Sequence, residues 1–492
     1  MRSVILFLGL LPWAVGVQAA DFEFSPALRQ AYADVFALKV QEGRKALATE
    51  TARGNGIALW LEDFADMVTL LVSDDRNAFR QWSDREDQRL DRLRELDPAS
   101  PWQRLTQAEV RLHWAFVKLK FGQEVSACWD IIRAYRLLEE NRKKFPDFLP
   151  TYKSLGVLHV LIGSVPESYT WVTGMLGLRG DVKQGLQEIR TVARKDAVFR
   201  TEARLIDLLI HAYVLKFSAA EAADLKQLVR ENPDHLLLHF FATSILMKDA
   251  RSGEALDYLE NRPTGPQYLS FPLLDYLKAE ILVQKSDYGS AAATYRQFLS
   301  RYRGVNFLKD TYYKLFLCAW LTNDDARALP LLRQVEQVGA AVVESDKAAQ
   351  KFAESFFRKG VSPRQKILMK ARFATDGGFS DTALDALRPY SEAAFPLPAE
   401  KAEFNYRKAR IYQRRGDIDE AIPFFERAIV LSEAEQFSFG ATSSLQLGYI
   451  FQQKRNLPKA KAYFQKALSY RKHEYKNSID NKARAALNEL DG

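Results

Sequence analysis

Cysteine is nearly absent from this 492-residue chain, which has two, and histidine is scarce at six. So few thiols exclude a disulfide-stapled scaffold. No block of one charge sign occurs either. Seventy Lys and Arg residues are interleaved with 62 Asp and Glu residues for a formal charge of +8, so the basic stripe that grips nucleic acid is missing and no nucleic-acid partner is expected. No asparagine is followed by the x-Ser/Thr glycosylation pattern, which points to a bacterial envelope over a eukaryotic secretory route. Alternating β-branched runs are few, which argues against sheets. With 47% hydrophobic and 27% charged residues, the chain is not disordered and can bury a large interior.

The first residues read as a processing segment. Arg2 supplies the positive start, "VILFLGLLPWAVGV" the apolar stretch, and "VQA" ending at Ala19 the small residues of a cleavage site. Pro12 breaks the run, which is short for a membrane anchor. The mature chain is expected to begin near Ala20. No cysteine follows the cleavage site, so the protein is expected to be exported to the periplasm without a lipid anchor. Cys128 and Cys318 each sit beside tryptophan in a helical run, "SACWDII" and "LFLCAWL", and read as buried free thiols. A single bridge between them remains chemically allowed in that compartment.

Apolar residues at three- and four-residue spacing dominate the rest, so the chain reads as all-α. The helices also repeat. In "ARIYQRRGDIDEAIPFFERAI" small Ala409, aromatic Tyr412, a turn at Gly416 and Asp417, small Ala421, aromatic Phe425 and small Ala428 follow in order. Gly448, Phe451, Ala460, Phe464 and Ala467 hold the same offsets in the next segment. This order closely resembles the tetratricopeptide repeat, a helix-turn-helix unit of about 34 residues. The second-helix alanine can be followed backwards through Ala383, Ala328, Ala291 and Ala255, with Leu387, Leu332, Tyr295 and Leu259 four residues on. Small residues let two antiparallel helices cross closely, and the larger residue one turn later fills the groove. The wide gap between Ala328 and Ala383 predicts an extra helix at "DKAAQKFAESFFRK".

The expected fold is a right-handed α-solenoid of stacked helix-turn-helix units with a helical N-terminal region. Its parts are a signal peptide (1–19), an N-terminal helical region (20–147), a tetratricopeptide-like helix with an inserted short helix and joint (148–200), degenerate repeats (201–400), and two clear repeats with a capping helix (401–492). In the third part Tyr152, Leu155 and Gly156 follow the repeat order. Then comes "GSVPESYTWVTGMLGLRGDVKQG", unlike its surroundings. Ser164 and Glu167 have capping-box spacing with Pro166 in the first turn, so a short helix is expected to start there and stop at Gly177, with Asp181 capping the next. The charged and helix-breaking residues in mid-run exclude a membrane span. Burial of the short helix against the N-terminal helices is expected. The alternative is an exposed contact with membrane or partner through Tyr169, Trp171 and Met175.

Proline, a short apolar helix and "GLRGD" come before helical repeats and a closing "YKNSIDNKARAALNEL". That layout resembles the tetratricopeptide family of eukaryotes linked to lipid handling and to clearance of protein inclusions. "YRGVNFLKDTYYKL" is similar to exported bacterial relatives of the same layout. The exported N-terminus distinguishes this chain from the eukaryotic members.

Signs of chemistry are thin. His235 and His239 lie one turn apart but lack a following glutamate and a third ligand, so core or capping roles are expected. Ser469 and Lys472 match the serine-x-x-lysine spacing without its companion motifs, and "RGNG" reads as a turn. No cofactor, metal site or catalytic residue is implied, and the chain is not expected to be an enzyme. The repeat array is the functional candidate. Outward positions of its first helices, Tyr276, Glu280, Tyr313, Tyr406, Arg410, Gln413, Tyr449 and Gln452, are expected to bind another exported or envelope protein, with the chain acting as a scaffold. A lipid- or membrane-associated carrier using residues 164–178 is the alternative.

Overall fold

The computed structural model describes residues 21–165, 174–471, 473 and 475–491. Every regular element among them is a helix. Two compact units are present. The first comprises the described residues up to Thr69, with Gln81–Leu119 and Gln123–Ala203; the second comprises Leu70–Arg80, Lys120–Gly122 and the chain from Arg204 onward. The expected signal peptide, residues 1–19, lies outside the described residues.

The first unit starts with a helical hairpin. Ser25 accepts from the Leu28 N–H and Pro26 opens the helix Pro26–Phe36, the usual chemistry of a helix start. The following run "ALKV" has no glycine or proline, yet the chain turns there, with Leu38 at φ 68° and fully buried, before the helix Val40–Ala52. A methyl group on Gly43 would meet Val35 at 2.6 Å, so the two helices touch at the glycine. Burial of Leu38 offsets a left-handed conformation that leucine otherwise disfavours. Its core is aromatic: Tyr32 packs edge-on against Phe199 at 5.3 Å, and Phe24 against Trp102 at 5.5 Å.

The helices Pro150–Gly163 and Val182–Lys195 cross at Gly156 and Gly185. An added carbon on Gly185 would lie 2.4 Å from the Gly156 carbonyl oxygen, so only hydrogen fits there. The expected capping box of Ser164 and Glu167 reaches into residues outside those described. The Ser164 hydroxyl donates to the Val160 carbonyl at 2.6 Å, at the end of the preceding helix. Tyr169, Trp171 and most of the stretch where a short helix is expected lie outside the described residues. Beyond them Gly177 takes φ 72°, and the Asp181 carboxylate accepts from the Gln184 N–H at 2.7 Å, as the sequence anticipates.

Buried charge is concentrated between the helices Gly56–Ser73, Arg85–Arg94, Pro101–Lys120 and Glu124–Lys144. Arg89 bridges Asp63 at 2.8 Å and Asp66 at 2.5 Å, while His113 and Trp114 hold Asp63 from the other side. Nearby, Lys118 lies 2.6 Å from both Glu86 and Asp130. Burial raises the Glu86 carboxyl, the Lys118 hydrogen bond opposes the rise and the Asp130 charge adds to it, leaving Glu86 at about 7. A carboxyl raised above its unfolded value of about 4.3 contributes stability that is full below that pH and is lost as pH climbs towards 7. Urea unfolding should therefore show the first unit weakening across this window, by on the order of 2 kcal/mol. Glu86→Gln should flatten that dependence; an unchanged slope would refute the assignment.

The second unit is a stack of helical hairpins. The six second-helix alanines, Ala255, Ala291, Ala328, Ala383, Ala421 and Ala460, are all 0% exposed, and the larger residues one turn on are buried with them. The turns share a device that composition hides. Five residues before each alanine the backbone is left-handed: Ala250, Ser286, Asn323, Gly378, Gly416 and Arg455 have φ between 58° and 87°. Only two of these are glycine. The next residue often caps the second helix, as Asp287, Asp324 and Asn456 do by accepting a backbone N–H. At the best-formed crossing, a carbon added to Gly448 would strike the Phe464 ring at 2.4 Å. Successive hairpins are tied at one-repeat separations, by Lys314 to Glu280, Arg415 to Asp381, Lys454 to Asp419 and Arg427 to Glu392. The wide gap holds the anticipated extra helix, Glu344–Lys359. This helix reaches back: Asp346 accepts from the Phe307 and Asp310 N–H groups at 2.6 and 2.9 Å, capping the helix Leu308–Leu321.

Candidate protein-binding surface of the C-terminal repeats

The helices Pro398–Arg415 and Ser438–Gln453 are the first helices of adjacent hairpins, and their outward residues meet. Arg410 donates through Nη1 to Gln413 Oε1 at 2.5 Å and to Gln446 Oε1 at 3.0 Å, and Gln413 Nε2 donates to the same Gln446 oxygen at 3.1 Å. The guanidinium is held by neutral amides, with no ion pair among the described residues. Arg414 stands one helical turn on, its guanidinium held below the usual range by burial and then by the Arg410 charge. Tyr406 stacks obliquely on Phe425 and Phe439 with ring centres 6.3 and 5.6 Å apart. Tyr449 stands edge-on to Phe464 at 5.2 Å yet keeps 37% of its surface exposed, and Gln452 is half-buried. The surface is therefore polar and cationic, with aromatic rings fixed by packing underneath. Gln446 is a member that sequence reading missed. It stands two positions before Gly448, and nothing in its neighbours marks it.

The earlier repeats differ from expectation. Tyr276 is not outward: it is 7% exposed and donates to Asp310 Oδ2 at 2.5 Å. Burial, then the Asp310 and Glu280 charges, holds its phenol well above the usual range. Glu280 accepts from the Lys314 ammonium at 2.6 Å and from the Tyr295 hydroxyl, so it ties two hairpins together. Tyr313 is half-buried against Phe352, at 4.8 Å between ring centres. The physical reason is the extra helix, whose Phe352 and Phe356 pack on Tyr313, Phe316 and Trp320 and cover what a regular array would leave open.

Other sequence features resolve locally. The His235 ring accepts from the Leu238 N–H as a helix cap, and His239 Nδ1 meets the Tyr258 carbonyl at 2.9 Å. The Ser469 hydroxyl donates to Lys466 O, while Lys472 lies outside the described residues. Cys318 is buried and its thiol is pushed up to about 12 by burial. Cys128, in contrast to expectation, is exposed, because it lies on the outer face of the helix Glu124–Lys144 beside exposed Val125 and Trp129. Both thiols are free. Met175 is 78% exposed, whereas Leu176 and Leu178 pack on the core around Leu105 and Leu138. No helix among the described residues is long and apolar enough to cross a membrane.

Paired helices with buried small residues at each crossing, stacked at one-repeat intervals, define an α-helical repeat protein. Residues 400–473 match the tetratricopeptide repeat family. That match covers the two C-terminal hairpins, and the rest of the described chain shares their all-helical, paired architecture. No curated protein matches the chain. Tetratricopeptide repeats are protein-binding modules, so the matched segment suggests a protein-interaction scaffold.

Proposed function

We propose that the protein is an exported, non-enzymatic scaffold or adaptor that holds another envelope protein on the outward face of the helices Pro398–Arg415 and Ser438–Gln453. The observation that carries this reading is Arg410, a guanidinium positioned by two glutamines without a carboxylate to neutralise it among the described residues, next to the fixed rings of Tyr406 and Tyr449. Such a group adds little to stability and is poised for an acidic or amide-rich segment of a partner. The apolar N-terminal run and its small-residue end support export, and the evenly mixed charge supports a protein rather than a nucleic-acid partner.

The test is capture of partners from an envelope fraction by the mature chain and by Arg410→Glu. The variant should lose a partner that the parent retains, while its unfolding free energy shifts by no more than about 1 kcal/mol, the scale of the glutamine hydrogen bonds. A folded variant that captures the same partner equally well would defeat the proposal. A second reading, a membrane-associated carrier, is favoured by the exposure of Met175 beside the apolar stretch. It would take precedence if membrane fractionation were altered by Met175→Glu and left unaltered by Arg410→Glu.

A further inference from the structure

A cavity of about 970 Å³ lies in the first unit between the helix Glu124–Lys144, the helix Pro150–Gly163 and the segment Gly177–Asp181. That segment is built onto its floor. The Tyr135 hydroxyl donates to the Arg179 carbonyl at 3.1 Å and accepts from the Arg179 N–H at 3.3 Å, fixing the backbone from which the Arg179 side chain projects. Gly180 lies so close to the neighbouring helix that an added carbon would sit 2.6 Å from both Gly163 N and the His159 carbonyl oxygen.

The charges around the cavity do not balance. Among the described residues each acidic group in the lining is already engaged: Glu139 with Arg142 at 2.8 Å, Glu140 with Arg104 at 3.9 Å, and Asp181 with the helix it caps. Three cations of the lining, Arg136, Lys143 and Arg179, have no carboxylate within ion-pair distance among the described residues. They come from two separate elements, the long helix and the pinned segment. One carboxylate would balance one of them. A phosphate monoester carries nearly two charges and three acceptor oxygens, and it suits the planar forks of two arginines.

We propose that this cavity binds a phosphate-bearing ligand, with Arg136 and Arg179 as its principal contacts and Lys143 completing the charge. The phosphate could belong to a soluble compound or to a lipid headgroup, and the two sources are separable. Inorganic phosphate is titrated calorimetrically into the full mature chain, and co-sedimentation is measured with phosphatidylcholine vesicles made with and without phosphatidic acid. Arg179→Gln and Arg136→Gln should each weaken binding by roughly tenfold or more, the expected effect of losing a charge-assisted contact. Lys183→Gln, an exposed cation outside the lining, should leave it unchanged. Phosphate binding weakened by both arginine variants establishes a soluble source, and binding confined to phosphatidic acid vesicles with the same sensitivity establishes a headgroup. Absence of binding to either probe, or binding that both arginine variants leave within about twofold, overturns the proposal. The two arginines lie on different elements, so a folding defect in one variant leaves the other to decide.

Discussion

Replacing Asp74 with alanine is expected to destabilise the second unit by about 3 to 5 kcal/mol, the scale set by several buried donors losing one acceptor. Asp74 is fully buried, and its carboxylate gathers the Tyr302 hydroxyl at 2.6 Å, the Val305 and Asn306 N–H groups at 3.0 and 2.8 Å, and the Asn306 amide at 2.9 Å. These groups lie more than 200 positions away in sequence, in a segment without regular structure, so the carboxylate replaces the hydrogen bonds that a helix would otherwise have supplied. Alanine leaves the donors in place without water to receive them. Asp74→Asn keeps the shape and one acceptor but turns an N–H towards Asn306, so it should cost less, about 1 to 2 kcal/mol. Chemical denaturation of both variants checks the order. A wild-type midpoint for the alanine variant would show that the segment finds other partners.

Lys153→Met should damage the first unit to a similar extent, about 3 to 5 kcal/mol near neutral pH. The ammonium lies 2.8 Å from Glu202 and 3.3 Å from Glu109, and the Tyr32 hydroxyl and Ser154 hydroxyl complete the same carboxylates. Burial disfavours the charged lysine, but Glu109 and Glu202 outweigh it and hold Lys153 above its usual range. Burial likewise works against the Glu109 carboxylate until Lys153, His113 and the Ser154 hydrogen bond outweigh it and hold it below the usual range. Methionine fills the volume and removes the ammonium, leaving two carboxylates close together. With Lys153 gone, burial raises Glu109, and a raised carboxyl contributes stability at low pH that is lost as pH rises. The deficit should therefore shrink between pH 8 and pH 5, and Lys153→Met combined with Glu109→Gln should recover part of it. A deficit that is the same at both pH values would mean that the loss is one of packing.

The C-terminal repeats were the most legible part of the chain. Ala421, Phe425, Gly448, Ala460 and Phe464 stand at the offsets that the repeat requires, because at a helix crossing a small residue is a steric necessity and survives as a visible pattern. The hairpin Pro26–Ala52 uses the same arrangement and was missed. Its left-handed residue is leucine and its small residue is Gly43, so neither half of the turn announces itself. At the candidate surface Arg410, Gln413 and Tyr449 follow from the register, whereas Gln446 became visible only when two helices were placed side by side.

Helical periodicity and small residues at fixed spacing are local properties, so the sequence by itself determined the all-α class, the six recurring crossings, the extra helix at Glu344–Lys359 and the cap at Asp181. Only the tertiary structure decided which outward positions stay open. Tyr276 and Glu280 occupy the same side of their helix as a groove residue would, yet Asp310, Lys314 and Tyr295 arrive from neighbouring helices and turn them into buried ties. Burial and charge pairing depend on what packs against a residue from elsewhere in the chain, and no window of sequence contains that neighbour.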